Sequence, residues 1–149
     1  MQDGAGEQAQ QYLMIGLGDE IFALDASSIR EILDPIPVTE VPGARSFMGG
    51  LINVRGKVVP VADLRLRFGM APKEHTQDTR FVVIELDLNG DTAVVAIVAD
   101  KVHEVTEISG ASLGEAPRIG MQWQPEFIRR TGQWRDDFII VPDMERIFH

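Results

Sequence analysis

Short apolar runs separated by polar turns dominate this chain. Residues 12–17 (YLMIGL), 20–24 (EIFAL), 57–64 (KVVPVADL), 80–88 (RFVVIELDL), 92–100 (TAVVAIVAD) and 137–144 (DFIIVPDM) are rich in β-branched and aromatic side chains. Each is bounded by Gly, Asp, Asn or Pro, the pattern of short β-strands. Asn89-Gly90 between two such runs predicts a tight hairpin. Pro60 and Pro142 lie inside apolar runs, which predicts a sheet edge or a bulge for both segments, because proline cannot donate to a ladder. Helix signals are few. Ser28 and Glu31 have the spacing of a capping box, yet Pro35 ends the segment after at most one turn. Short helical stretches are expected at 44–50 and 125–130. Residues 1–10 are small, polar and glycine-containing, and read as a disordered lead-in. The regular spacing of short strands predicts an all-β barrel or sandwich architecture in place of βαβ units.

The same order of signals occurs twice. Ile21 to Ala26, followed by Ile29 to Ile32, lies over Val94 to Ala99, followed by Val102 to Val105, and Glu31 then falls on Glu104. Further along, Phe47 to Phe68 lies over Phe127 to Phe148, which matches Arg55 with Arg135, Val61 with Val141 and Asp63 with Asp143. This echo predicts a duplicated β module. The expected subdomains are 12–70 and 79–148, with exchange of strands between them left open. Units of that size bury little core alone, so the two should pack tightly together.

Composition narrows the function. Acids outnumber bases 23 to 14, a net charge of −9, which argues against nucleic acid and against an anionic membrane surface. The absence of cysteine excludes disulfides, thiolate nucleophiles and Cys-based zinc sites. No apolar run approaches the roughly 20 residues that span a bilayer, and the first residues lack the basic start and apolar stretch of a secretory signal. A soluble, cytoplasmic protein without membrane insertion is expected.

Candidate chemistry thins out under the same scrutiny. Gly50 precedes Gly56-Lys57, but five residues separate the glycines, Val58 follows the lysine, and a strand pattern follows where a phosphate loop needs a helix. Gly110-Ala111-Ser112-Leu113-Gly114 matches a nucleophile elbow by letter. Pro117 blocks the helix it requires, and His149 is the one histidine after it. His75 and His103 lack metal-ligand spacing and read as surface residues. Asp136-Asp137 and Asp87 to Asp91 read as turn formers. Trp123 and Trp134 are read as packing residues or as interface anchors. No catalytic constellation, cofactor site or metal site is expected.

The stretch Gly50-Leu51-Ile52-Asn53-Val54-Arg55-Gly56-Lys57-Val58-Val59-Pro60-Val61-Ala62-Asp63-Leu64-Arg65 resembles the signature of CheW-type chemotaxis coupling proteins, an Asn-Leu-Arg-Gly turn followed by a strand with Pro-Val/Ile-x-Asp-Leu-Arg. Ile29-Arg30-Glu31-Ile32, the run from Val94 to Asp100 and the closing Phe138 to Asp143 extend the likeness from about Tyr12 to Phe148. Val54 stands where that family usually has Leu. The resemblance implies two five-stranded SH3-like barrels packed on a shared seam. It also implies a non-enzymatic adaptor that couples the cytoplasmic hairpin tip of chemoreceptors to the regulatory domain of the histidine kinase CheA. A coupling protein of a twitching-motility or other non-flagellar array is the alternative. Carried over by position, Arg55 and Glu31 are a receptor-side pair. Ile29, Val54 and Val98 are expected to line a groove between the barrels, Asn53 to belong to the turn, and Gly50 and Gly56 to shape it. The kinase contact is expected on barrel-end loops. With no receiver pattern, phosphoacceptor helix or ATP motif present, a freestanding module is expected.

Overall fold

The computed structural model describes residues 9–44, 46–71, 74–114 and 124–148. The first part of the chain forms β1 (Ala9–Leu17), β2 (Glu20–Asp25), β3 (Ile29–Leu33), β4 (Thr39–Glu40), β5 (Gly50–Val54), β6 (Lys57–Ala62) and α1 (Leu64–Arg67). The second forms β7 (Arg80–Leu88), β8 (Asp91–Ala99), β9 (Lys101–Ser109), β10 (Ile128–Trp134), β11 (Asp137–Pro142) and α2 (Met144–Phe148). Single 3-10 turns lie at Ala26–Ser28, Ser46–Met48, Gly110–Ser112 and Pro125–Phe127. The expected helical turns before β3, near 44–50 and near 125–130 are therefore 3-10 in kind.

The strands make two sheets, ordered β10-β11-β2-β1-β9 and β3-β7-β8-β6-β5-β4, in an all-β, SH3-like barrel architecture. The second sheet has six strands where five were expected, because the two-residue β4 pairs with β5. The chain leaves the first sheet after β2 and returns to it at β9.

The residues that the echo matches also pair alike in the backbone. β6 runs parallel to β8 with Val61 beside Ala96, and β11 runs parallel to β2 with Ile140 beside Phe22. One further step along the second register sets Val141 beside Ala23, the pair that the sequence echo matches to Val61 and Ala96. The ends match too. Asp63 N–H donates to the Phe47 carbonyl at 2.7 Å, and Asp143 N–H donates to the Phe127 carbonyl at 2.8 Å. Side-chain oxygens of Asp63 and Asp143 then accept from the backbone of Arg65 and Arg146, starting α1 and α2.

Three apolar clusters hold the molecule together. Ile52, Val54, Val59, Val61, Phe81, Val83, Ala96 and Val98 fill the six-stranded barrel. Tyr12, Met14, Ala23, Ile108, Ile139 and Val141 fill the five-stranded one. The third and largest lies between them, with Leu13, Ile15 and Phe22 from one sheet meeting Val82, Ile84 and Ile97 from the other. Because β1, β2, β7 and β8 present apolar residues on both faces, each serves a barrel interior and the seam at once. Phe22 stacks on Phe68 at a centroid distance of 5.5 Å, closing the seam at its helical end.

Three local expectations need correction. Pro60 is not at an edge or bulge. β6 lies between β8 and β5, and proline is accommodated there because pairing with β8 starts only at Val61. Pro142 does face a bulge, between Ile128 and Arg130 of β10. Ser28 and Glu31 form no capping box. Asp25 caps the turn instead, accepting from the Ser27 backbone, and Glu31 lies on a strand. β1 begins at Ala9, inside the expected lead-in, since Ala9 pairs with Ser109. Residues 1–8, Pro117, Trp123 and His149 lie outside the described residues.

Candidate protein-docking site

The β5–β6 hairpin turns on two residues, Arg55 (φ 50°) and Gly56 (φ 86°). Positive φ at both positions is the type I′ pattern, whose twist matches paired strands. Glycine adopts it freely, whereas an arginine there is held against its preference. The Asn53 side chain fastens the turn by accepting from Gly56 N–H at 2.7 Å. Gly50, at the other end of β5, is required by packing: a Cβ there would lie 2.4 Å from a Val38 methyl group.

The turn delivers the guanidinium to Glu31 on β3. Arg55 Nη1 donates to Oε1 at 2.9 Å and Nη2 donates to Oε2, a two-pronged pairing. β3 and β5 are not neighbours in the sheet order, so the pair bridges strands that no ladder joins. The Arg55 guanidinium holds the Glu31 carboxyl below its ordinary range, and Glu31 raises that of Arg55 in return. Arg55 keeps 72 % of its side chain exposed and Glu31 only 25 %. The fork is aimed by its partner yet open to a visitor.

The expected groove residues divide. Ile29 is half-buried and packs on the seam, while Val54 and Val98 face the interior of the six-stranded barrel. Strand alternation explains Val54: on β5, Ile52 and Val54 point inward while Leu51 and Asn53 point outward. Val98 lies in a run buried on both faces, as a central strand requires. The exposed apolar surface on this hairpin comes from other residues. Ile36, Pro37, Thr39, Leu51, Asn53 and Val58 line an open depression of 580 Å³, with Val58 68 % exposed. Alternation along β6, in which Val59 and Val61 are inward and Val58 is outward, was the signal for it.

A second ion pair, not expected as such, repeats the first. Arg135 (φ 53°) and Asp136 (φ 69°) form the β10–β11 turn, and Arg135 Nη2 donates to Glu104 Oε1 on β9. These are the residues that the echo matches to Arg55 and Glu31. Arg135 also lies over the Trp134 ring at 4.7 Å, and His103 meets that ring edge-on. Exposed apolar residues flank both pairs at matching positions, Ile32 and Val58 by the first, Val105 and Phe138 by the second.

Other candidates remain structural. Gly110–Ser112 is one 3-10 turn, and Gly114 pairs with Thr131. Asp87 accepts from Gly90 N–H within its hairpin. His75 and His103 are exposed. Among the described residues, no group of three or more His, Asp or Glu side chains is arranged to hold a metal. No described helix is long and apolar enough to cross a membrane.

A family model described as a CheW-like domain matches residues 11–149. The chemotaxis protein CheW of Klebsiella aerogenes is 29% identical over 96% of this chain and 84% of its own. The probable chemotaxis protein CheW of Rhizobium etli is 28% identical over 93% of this chain and 87% of its own. Among solved structures, the scaffolding protein TtCheW of Thermoanaerobacter tengcongensis superposes with a TM-score of 0.83 at 26% identity, covering 100% of this chain and 94% of that one.

Proposed function

From the premise that this chain belongs to the CheW-like family of chemotaxis scaffolds, we propose that it is a non-catalytic adaptor joining the cytoplasmic hairpin tip of chemoreceptors to the histidine kinase CheA. The observation that carries this reading is the Arg55–Glu31 pair. It is a guanidinium held at an unfavourable backbone angle, aimed by a two-pronged carboxylate, and left mostly open at the tip of a hairpin whose strands line an apolar depression. Exposed ion pairs contribute little to folding, so stability alone is a poor reason to hold an arginine this way. A planar fork beside an apolar wall suits a helical protein surface that offers a carboxylate and an aliphatic side chain. In this proposal Arg55, Glu31 and Asn53 form the polar part of the receptor face. Ile29 lies behind it, and Val54 and Val98 support it from the barrel interior. The kinase occupies a separate surface, and the chain reaches receptor arrays in the cytoplasm through these partners.

The test is reconstitution from purified parts. The chain, a receptor cytoplasmic fragment and the kinase should co-elute as a ternary complex, while the fragment and kinase without the chain should stay largely apart. Equal assembly with and without the chain would defeat the proposal.

A further inference from the structure

The internal repeat breaks most clearly just after its matched aspartates. Asp63 and Asp143 correspond, but Arg65 and Arg67 stand where the second half has Glu145 and Ile147. Both arginines of α1 reach across to the other barrel. Arg65 leaves only 4 % of its side chain exposed. Its Nε and Nη2 donate to the two oxygens of Asp63 at 2.9 and 2.8 Å, and its Nη1 donates to Asp100 Oδ1 at 2.8 Å. Asp100 is the residue at which the chain passes from β8 in one barrel to β9 in the other. It is also tied to the β1–β2 hairpin. Its N–H donates to the Gly16 carbonyl at 2.9 Å, and its Oδ2 accepts from Gly18 N–H at 2.7 Å. One buried guanidinium therefore links the end of β6 to the turn of the opposite barrel.

Arg67 acts on the neighbouring side. Its guanidinium lies 5.1 Å from the Phe47 ring and 4.7 Å from the Phe127 ring, the two phenylalanines that the repeat equates. Its Nε donates to the Ile147 carbonyl of α2 at 3.2 Å.

We propose that α1 is a two-arginine lock that fixes the angle between the barrels, with Arg65 and Arg67 as positioning residues for the surfaces the barrels present. The physical reason is directionality. The apolar seam supplies attraction but little orientation, because burial of apolar area is nearly indifferent to angle. Charge-assisted bonds to a buried planar fork accept a narrow range of geometries. Neutralising such a network can leave stability nearly intact, so orientation and folding can be separated by experiment.

The chain has no native cysteine, so spin labels can be set at Thr92→Cys on β8 and Glu107→Cys on β9, both exposed positions in different barrels. The parent should give a single narrow distance peak. The variant Arg65→Met/Asp63→Asn/Asp100→Asn should keep its β-rich circular dichroism and lose that single peak to a broad or split distribution. Arg65→Lys, which keeps the charge without the fork, should fall between the two. A folded triple variant with an unchanged peak overturns the lock. If the triple variant does not fold, Arg67→Leu decides: it should broaden the distribution, and an unchanged one overturns the lock equally. Because distance is the readout, this result stands or falls separately from any partner assignment.

Discussion

Two hairpin turns in this molecule match in sequence position and backbone angle and are held in different ways. In the six-stranded barrel, Arg55 meets Glu31 with both prongs, and Asn53 and Gly56 make the turn. In the five-stranded barrel, Arg135 meets Glu104 with one prong and rests on Trp134, and Asp136 occupies the place of Gly56. The arginine backbone angles, 50° and 53°, are nearly equal. What the two halves share is an arginine that ties the hairpin to a strand with which the hairpin shares no ladder. That shared part describes barrel closure. Both side chains stay mostly exposed, 72 % for Arg55 and 64 % for Arg135. What differs is the second contact of the guanidinium, the other carboxylate oxygen in one half and an aromatic face in the other. The difference teaches that one closure scheme tolerates two second contacts, and in the proposed function it is the two-pronged Arg55 turn that is assigned to the partner.

The largest expected effect tests whether the two copies are one folding unit. Phe22 is fully buried in the seam and stacked on Phe68. Phe22→Ala should cost about 3–5 kcal/mol and lower the denaturation midpoint of both barrels together, seen as one transition by tryptophan fluorescence and by circular dichroism. Two separate transitions would show barrels that fold independently.

A smaller effect separates the two turns. Gly56 (φ 86°) has nothing within 4 Å of an added Cβ, so Gly56→Ala isolates the backbone cost and should destabilise by about 1 kcal/mol. Asp136 (φ 69°) occupies the matching position without glycine, and Asp136→Gly should instead stabilise by roughly 0.5 kcal/mol. Chemical denaturation of both variants reads the signs, and equal signs would break the comparison.

The smallest effect is electrostatic. The hydrogen-bonded Arg55 guanidinium holds the Glu31 carboxyl below the ordinary glutamate range. A carboxylate whose folded value is lowered contributes stability above its unfolded value and loses it as pH falls through the folded one. Thermal melts of wild type and Glu31→Gln should therefore differ by a constant amount from pH 7 down to about 5 and converge below 4.5. A difference that vanishes already at neutral pH would show that the pair is not formed in solution.

Much of this was legible in the sequence for a physical reason. Strand propensity and turn residues are local, so the runs around Tyr12, Phe22, Phe81, Val95 and Ile140 announced themselves. The echo aligned Glu31 with Glu104 and Arg55 with Arg135 before any geometry was known, although the second ion pair was not read from it. β9 and β10 were harder, because strands with charged and polar residues at most exposed positions carry little apolar signal. α1 and α2 are too short to show a helical period and were not read from the sequence. Pro60 misled because the rule against interior proline assumes pairing along the whole strand, and its partner on one side begins a residue later. The inward faces of Val54 and Val98 followed from alternation and from burial of β8 on both sides, which a family likeness does not weigh. Long-range bonds such as Arg65 to Asp100 had no local signature at all.

The most direct measurement is a titration of a receptor cytoplasmic fragment with the Arg55→Ala and Arg135→Ala proteins, each confirmed folded by circular dichroism. Loss of a guanidinium at the centre of an interface weakens binding by about tenfold or more. Arg55→Ala should show that loss, and Arg135→Ala should bind within about twofold of wild type, well under the tenfold that 1.4 kcal/mol represents. Wild-type affinity in a folded Arg55→Ala protein would contradict the account.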